Sequence, residues 1–305
     1  MQIRLLGTAA GGGVPQWNCN CPVCREARAE DRRVEPRTQS SVAVSADGRS
    51  WFLLNASPDL RAQIETFLPL QPPSGVTRGS PIQAVLLTNA DLDHSLGLLL
   101  LREGQKIPVH ASAAVRESLT VGISLSQAIA AFCGIEWIEP PFEDQPLRNM
   151  DGSESGLAYQ AVSLSGRAPR FALPTARQTN HVVGYRIVDR KTGGGLLFLP
   201  DVTSLDPGLA SRLADCDVLL FDGTFWAEDE MASCGAGSLR ASSMGHIPIS
   251  GAGGSLQVLG RLDVKHKVYV HINNTNPILM EGSPEQAAVL AAGCAVGRDG
   301  MEFAI

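Results

Sequence analysis

The residues best suited to chemistry lie in Thr88-Asn89-Ala90-Asp91-Leu92-Asp93-His94-Ser95-Leu96-Gly97. Carboxylate and imidazole donors packed this closely suit a divalent metal, which takes oxygen and nitrogen ligands of this kind. A plainer reading makes Asp91 or Asp93 the cap of a helix amino terminus, its side-chain oxygen accepting from an exposed backbone N–H. A second cluster, Trp17-Asn18-Cys19-Asn20-Cys21-Pro22-Val23-Cys24, spaces its thiols as Cys-x-Cys-x-x-Cys. At that spacing Cys19, Cys21 and Cys24 reach one tetrahedral zinc while the short loop folds around it. No fourth ligand is evident nearby in sequence.

Strands and turns must hold these groups in place. Ile82 to Leu87 reads as a buried strand and Leu96 to Leu101 as an apolar helix, so the acidic and imidazole groups sit on a strand-to-helix turn. Four further candidates stand at strand or helix ends. His181 precedes the strand Val182 to Val188; Asp201 follows the apolar strand Leu196 to Leu199; His246 opens a helix expected to run through Leu256 to Leu262; His271 ends the strand Val268 to Val270. A similar strand, Val218 to Phe221, ends at Asp222-Gly223-Thr224 and carries less weight. The opening strand, Met1 to Leu6, runs into Gly7-Thr8-Ala9-Ala10-Gly11-Gly12-Gly13-Val14-Pro15. Without a Gly-Lys-Ser/Thr ending it is a flexible turn near the site rather than a phosphate loop. Ser57 should cap a helix with Pro58 in its first turn. His110, alone on an apolar strand, reads as a satisfied core residue, and His266 as a solvated turn residue. Residues 112–132 look helical.

Composition bounds the class. A chain of 305 residues with 44% hydrophobic content can bury a large core, and one elaborated domain over 1–305 is expected. A formal charge of −6 and the lack of a basic, aromatic-interleaved stripe argue against nucleic acid as a partner. No window approaches the roughly 20 apolar residues of a membrane span, and the first residues carry no export signal, so a cytoplasmic protein is expected. Seven cysteines in such a chain do not imply a disulfide framework.

The strand-to-helix turn resembles the first metal motif of the metallo-β-lactamase superfamily, His-x-His-x-Asp-His after a buried strand. Here Asn89 and Asp91 replace the first two histidines, while Asp93 and His94 match the third and fourth positions. The resemblance makes Asp201 a bridging carboxylate and His271 the last metal ligand, and sets His181 near the site. It likens His246 to a histidine that tRNA-maturing endonucleases use near the scissile group. Some phosphodiesterase branches close the three-cysteine zinc site with a histidine where this chain has Asn274. Its fourth ligand stays open between Asn274 through oxygen, a water, or another residue.

The combination Trp-Asn-Cys-Asn-Cys-x-x-Cys, Asp-x-Asp-His-Ser-x-Gly-Leu-Leu-Leu-Leu-Arg-Glu, Met-Gly-His-Ile-Pro-Ile-Ser and His-Ile-Asn-Asn-Thr-Asn-Pro is similar, over nearly the full length, to the pyrroloquinoline quinone (PQQ) synthesis protein B family. The resemblance implies an α+β fold, the αββα sandwich of metallo-β-lactamases, and action on a PQQ precursor built from linked Glu and Tyr, alongside other PQQ biosynthesis proteins. Two roles go with it: iron-dependent hydroxylation of the tyrosine ring, and carriage of PQQ or its precursor towards the periplasm. A zinc-dependent hydrolase is the third reading, against which Asn89 counts. Asp93, His94 and His271 would be the ligands of an active-site Fe2+ (Zn2+ being possible as purified). The cysteines would hold a structural Zn2+. Asp91, Asp201 and His246 would bind a substrate amine or move protons.

Overall fold

Continuous apolar runs mark strands buried on both faces, and alternating runs mark strands with one wetted face. Both kinds are present in the computed structural model, which describes residues 1–173 and 179–305. Gln178, before the His181 segment, lies outside the described residues. The chain forms two units.

The first unit comprises Met1–Leu6, Ser40–Gly195 and Gly300–Ile305. Its strands are β1 (Gln2–Gly7), β2 (Ser41–Ser45), β3 (Trp51–Leu54), β4 (Ile82–Leu86), β5 (Ile107–His110), β6 (Ile135–Ile138), β7 (Gln145–Arg148), β8 (Glu154–Leu164) and β9 (Val182–Asp189). The first six join in sequence order, with the strand Glu302–Ala304 added antiparallel outside β1. The β2–β3 hairpin forms about Asp47, whose carboxylate accepts from the backbone N–H of Arg49 and Ser50. From β3 to β6 pairing is parallel. Trp51, Leu53, Val85, Leu87 and Leu98 lie in the core under this sheet. Strands β7 to β9 pair antiparallel, and β8 alternates buried and half-buried residues.

The turn after β4 leads into a short helix, Leu92–Ser95, and a 3-10 helix, Leu96–Glu103. Gly97 is required here by close approach. Its N–H donates to the Ala56 carbonyl at 2.8 Å, and an added Cβ would lie 2.3 Å from the Ser57 carbonyl oxygen. Gly97→Ala is therefore expected to cost about 2–3 kcal/mol, the upper range for overpacking. Urea unfolding of the variant beside wild type checks this, and an unchanged midpoint would contradict it.

Three expected helices differ in detail. The helix after Pro58 starts at Leu60, because the Ser57 hydroxyl accepts from Asp59 N–H and bonds Gln63 instead of capping. Residues 112–132 break into Ala113–Glu117, a π-turn at Ser118–Gly122, and Leu125–Ala130, with Ser124 left-handed (φ 54°) at the break. The helix assigned to begin at His246 covers only Ser255–Leu259, since Pro248 and the left-handed Gly251 and Gly253 hold the preceding segment in turns.

The second unit comprises Gly7–Gln39 and Leu196–Asp299. Strands β10 (Gly195–Leu199), β11 (Val218–Asp222), β12 (His266–Val270) and β13 (Ala295–Val296) pair in parallel, in that order. The runs Leu196–Leu199 and Val218–Phe221 are wholly buried, as parallel strands require. His266 opens β12, half-buried, rather than lying in a turn. The glycine-rich segment after β1 is tied to the end of β12: Ile272 N–H donates to Thr8 O, and Ala10 N–H to Ile272 O, each at 2.9 Å. Among the described residues no helix is long and apolar enough to cross a membrane.

Candidate metal sites

The cysteine loop lies wholly within the second unit. Cys21 caps the helix Pro22–Arg28, its sulfur accepting from Cys24 N–H at 3.5 Å, and Cys19 sulfur accepts from Cys21 N–H at the same distance. The three sulfurs lie within 4.8 Å of one another. Three sulfurs each about 2.3 Å from one zinc sit about 3.8 Å apart, so a small contraction would close the set. Burial pushes the Cys21 thiol up to about 12; at Cys19 burial acts the same way, but hydrogen bonds from the Cys21 N–H and from the Cys21, Cys24 and Asn274 side chains together outweigh it and hold the thiol below its ordinary value. A cation is what favours three thiolates here. Asn274 faces the sulfurs: its backbone carbonyl oxygen is 3.3 Å from Cys21 Sγ and its side-chain Nδ2 3.2 Å from Cys24 Sγ. The donor set fits zinc.

A second group stands at the carboxyl ends of β10, β11 and β12, where open parallel sheets place their ligands. Asp201 follows β10, Asp222 ends β11 and His271 follows β12 with a left-handed backbone (φ 55°). His246 enters after the left-handed Gly245, its N–H held by the Ala241 carbonyl. Donor atoms of Asp201, His246 and His271 lie within 4.8 Å of one another, with His271 Nε2 at 3.8 Å from Asp201 Oδ1. The His246 and His271 rings stack at 5.5 Å. His246 Nδ1 is 2.8 Å from Asp222 Oδ2, and His271 Nδ1 is 2.8 Å from Thr224 Oγ1, which in turn is 2.6 Å from Asp222 Oδ1. Burial works against the Asp222 charge, but the His246 imidazole and the Thr224 hydroxyl hold the carboxyl below its usual range. Burial likewise opposes protonation of His246, but the charge and hydrogen bond of Asp222 together with the Asp201 charge outweigh it, raising that histidine above its ordinary value.

The first unit holds the turn that drew attention in the sequence. His94 is fully buried, with Nδ1 at 3.1 Å from Thr88 Oγ1 and Nε2 at 3.6 Å from Asp93 Oδ2. Thr88 is fixed by Asn55, itself left-handed (φ 64°), whose Oδ1 accepts from Thr88 N–H at 2.9 Å. Asp91 occupies the cap position before Leu92, but its side chain makes no capping bond and lies exposed. Asn89 is buried, and its side-chain oxygen accepts from Asp91 N–H at 2.9 Å. His181 is half-buried at the start of β9 and belongs to no group of three metal-donor side chains among the described residues. His110 bonds Tyr159 at 2.8 Å, and burial lowers it to about 4, as suits a neutral core imidazole.

A family model described as a beta-lactamase superfamily domain matches residues 50–272. Coenzyme PQQ synthesis protein B of Azotobacter vinelandii is 44% identical over 99% of each chain, and that of Methylobacterium radiotolerans 41% identical over all of both. The chain belongs to the coenzyme PQQ synthesis protein B family. The crystal structure of Zn2+-bound PqqB from Methylobacterium extorquens, 40% identical, aligns over the whole of both chains with a TM-score of 0.90. A diphosphatase of the PhnP family, 21% identical over 99% of this chain and 96% of its own, shares the fold at a TM-score of 0.66. The fold is the α+β metallo-β-lactamase fold.

In this PQQ synthesis protein B family member, Asp222 and Thr224 hold His246 and His271, yet they carried little weight in the sequence. The signal was there: an apolar strand ending in a carboxylate, the same pattern that singled out Asp201. Glu230 gave no signal at all. It is buried, accepting from Trp226 N–H and from the Thr275 hydroxyl, and burial raises it to about 7. Folded Glu230 binds its proton more tightly than an unfolded glutamate near 4.5, so folding takes up a proton between those values. Its contribution to stability is present below about pH 4.5 and is lost as pH rises through about 7, on the order of 3 kcal/mol. Glu230→Gln should flatten that decline. Urea unfolding of both proteins at acid and alkaline pH measures it, and parallel pH dependences would contradict it.

Proposed function

We propose that the chain acts in PQQ biosynthesis as an iron-dependent hydroxylase of the tyrosine ring in a small Glu–Tyr precursor. Asp93, His94 and His271 are the ligands of the active-site metal in this reading. The pattern that matches the superfamily motif supports it, as does the chemistry of the set: two imidazoles and one carboxylate leave adjacent positions open for oxygen and substrate. Bound Fe2+ would supply the redox change that oxygen chemistry needs and that zinc lacks.

The observation that carries iron over a hydrolytic pair of zincs is the role of Asn89. Its oxygen is spent on the N–H of Asp91, so the first histidine position of the motif holds the turn together. A dinuclear hydrolase needs ligands for both ions, and this position offers no imidazole.

The remaining groups position substrate and protons. Asp201 and the exposed Asp91 offer carboxylates to a substrate ammonium. His246, held through Nδ1 by Asp222, keeps Nε2 as the ring nitrogen that can accept or pass on a proton. Hydrolysis calls for no oxidant, and carriage of PQQ towards the periplasm calls for no turnover. The test loads the protein with Fe2+ or Zn2+ and supplies a Glu–Tyr peptide, oxygen and a reductant. Catechol product with iron alone is expected. Tight binding with no product under iron would favour the carrier, and cleavage under zinc the hydrolase.

A further inference from the structure

The hydrogen-bond chemistry around β11 fixes more than distances. A carboxylate only accepts hydrogen bonds. His246 Nδ1 lies 2.8 Å from Asp222 Oδ2, so it is Nδ1 that carries the proton and donates. Thr224 has one hydroxyl proton, and Asp222 Oδ1, 2.6 Å away and able only to accept, commits it there. The hydroxyl oxygen is then left to accept from His271 Nδ1 at 2.8 Å.

We propose that Asp222 is the positioning residue for both imidazoles at once, directly for His246 and through the Thr224 hydroxyl for His271. It places the proton of His271 on Nδ1 and leaves the Nε2 lone pair for a metal. Asp222 is suited to this because it is fully buried and anchored: Val202 N–H donates to Oδ2 at 2.8 Å and Thr224 N–H to Oδ1 at 2.9 Å. A fixed carboxylate with both oxygens committed cannot turn away from either ring. Outer-sphere partners of this kind set the tautomer and raise the basicity of the ligating nitrogen. The inference rests on the proposed role of His271 as a ligand, but not on iron or on hydroxylation.

The experiment uses zinc as the probe on the full-length protein. Thr224→Val removes the hydroxyl and keeps the shape, and is expected to weaken the non-cysteine zinc site by about 10- to 100-fold. Thr224→Ser restores the hydroxyl and should recover affinity to within a few-fold. Long-range proton–nitrogen spectra of isotope-labelled histidines read the tautomer directly. In wild type both His246 and His271 should carry the proton on Nδ1, and Thr224→Val should disturb His271 alone. Asp222→Asn should disturb both. Undiminished zinc affinity in Thr224→Val, or a His271 proton on Nε2 in wild type, would overturn the proposal. Loss of hydroxylation with these spectra intact would overturn the proposed activity and leave this inference standing.

Discussion

Cys21→Ser is expected to lose the structural zinc and to lower the unfolding temperature by about 10 °C, the shift that several kcal/mol produces in a domain of this size. Serine is a good helix cap, so the bond from Cys24 N–H that Cys21 now accepts survives the change. What is lost is one of three thiolates, and metal binding to thiolates is folding free energy. The effect should be smaller than in a zinc finger, because this chain buries a large core without the metal. Metal analysis and thermal unfolding of the same sample decide it. Unchanged zinc content would refute the site; lost zinc with unchanged unfolding would refute its part in stability.

The second large effect is at His271. Alanine there would mix ligand loss with backbone strain, since the residue sits at φ 55°. Asparagine accepts that conformation more readily and isolates the ligand. His271→Asn should weaken the active-site metal by more than about 100-fold, beyond the loss of an outer-sphere partner, and leave the cysteine-held zinc in place. Two metals retained at wild-type affinity would remove His271 from the ligand set.

Much of this was legible because short-range patterns carry it. The apolar runs at Ile82, Leu196, Val218 and Val268 announced strands, and the Asp and His residues after them, with the cysteine cluster at Cys19 to Cys24, announced chemistry. The helix breaks at Ser124 and Pro248 were obscured because a periodic apolar pattern outweighs one residue's backbone preference in a sequence window. Asp222 was undervalued because its work is on other side chains. Nothing near it in sequence indicates that Thr224 and His246 both meet the same carboxylate. Glu230 was invisible for a different reason: an acidic residue in a polar stretch reads as solvated until its burial is known.

Iron and molecular oxygen are expected to hydroxylate the precursor's tyrosine ring. The most direct measurement supplies iron-loaded protein and a Glu–Tyr peptide with isotopically heavy oxygen gas in ordinary water, and follows the product by mass spectrometry. Heavy oxygen on the ring, absent from zinc-loaded protein and from His271→Asn, is the predicted result. A product whose new oxygen comes from water, or bound peptide returned unchanged by the iron-loaded protein, would contradict it.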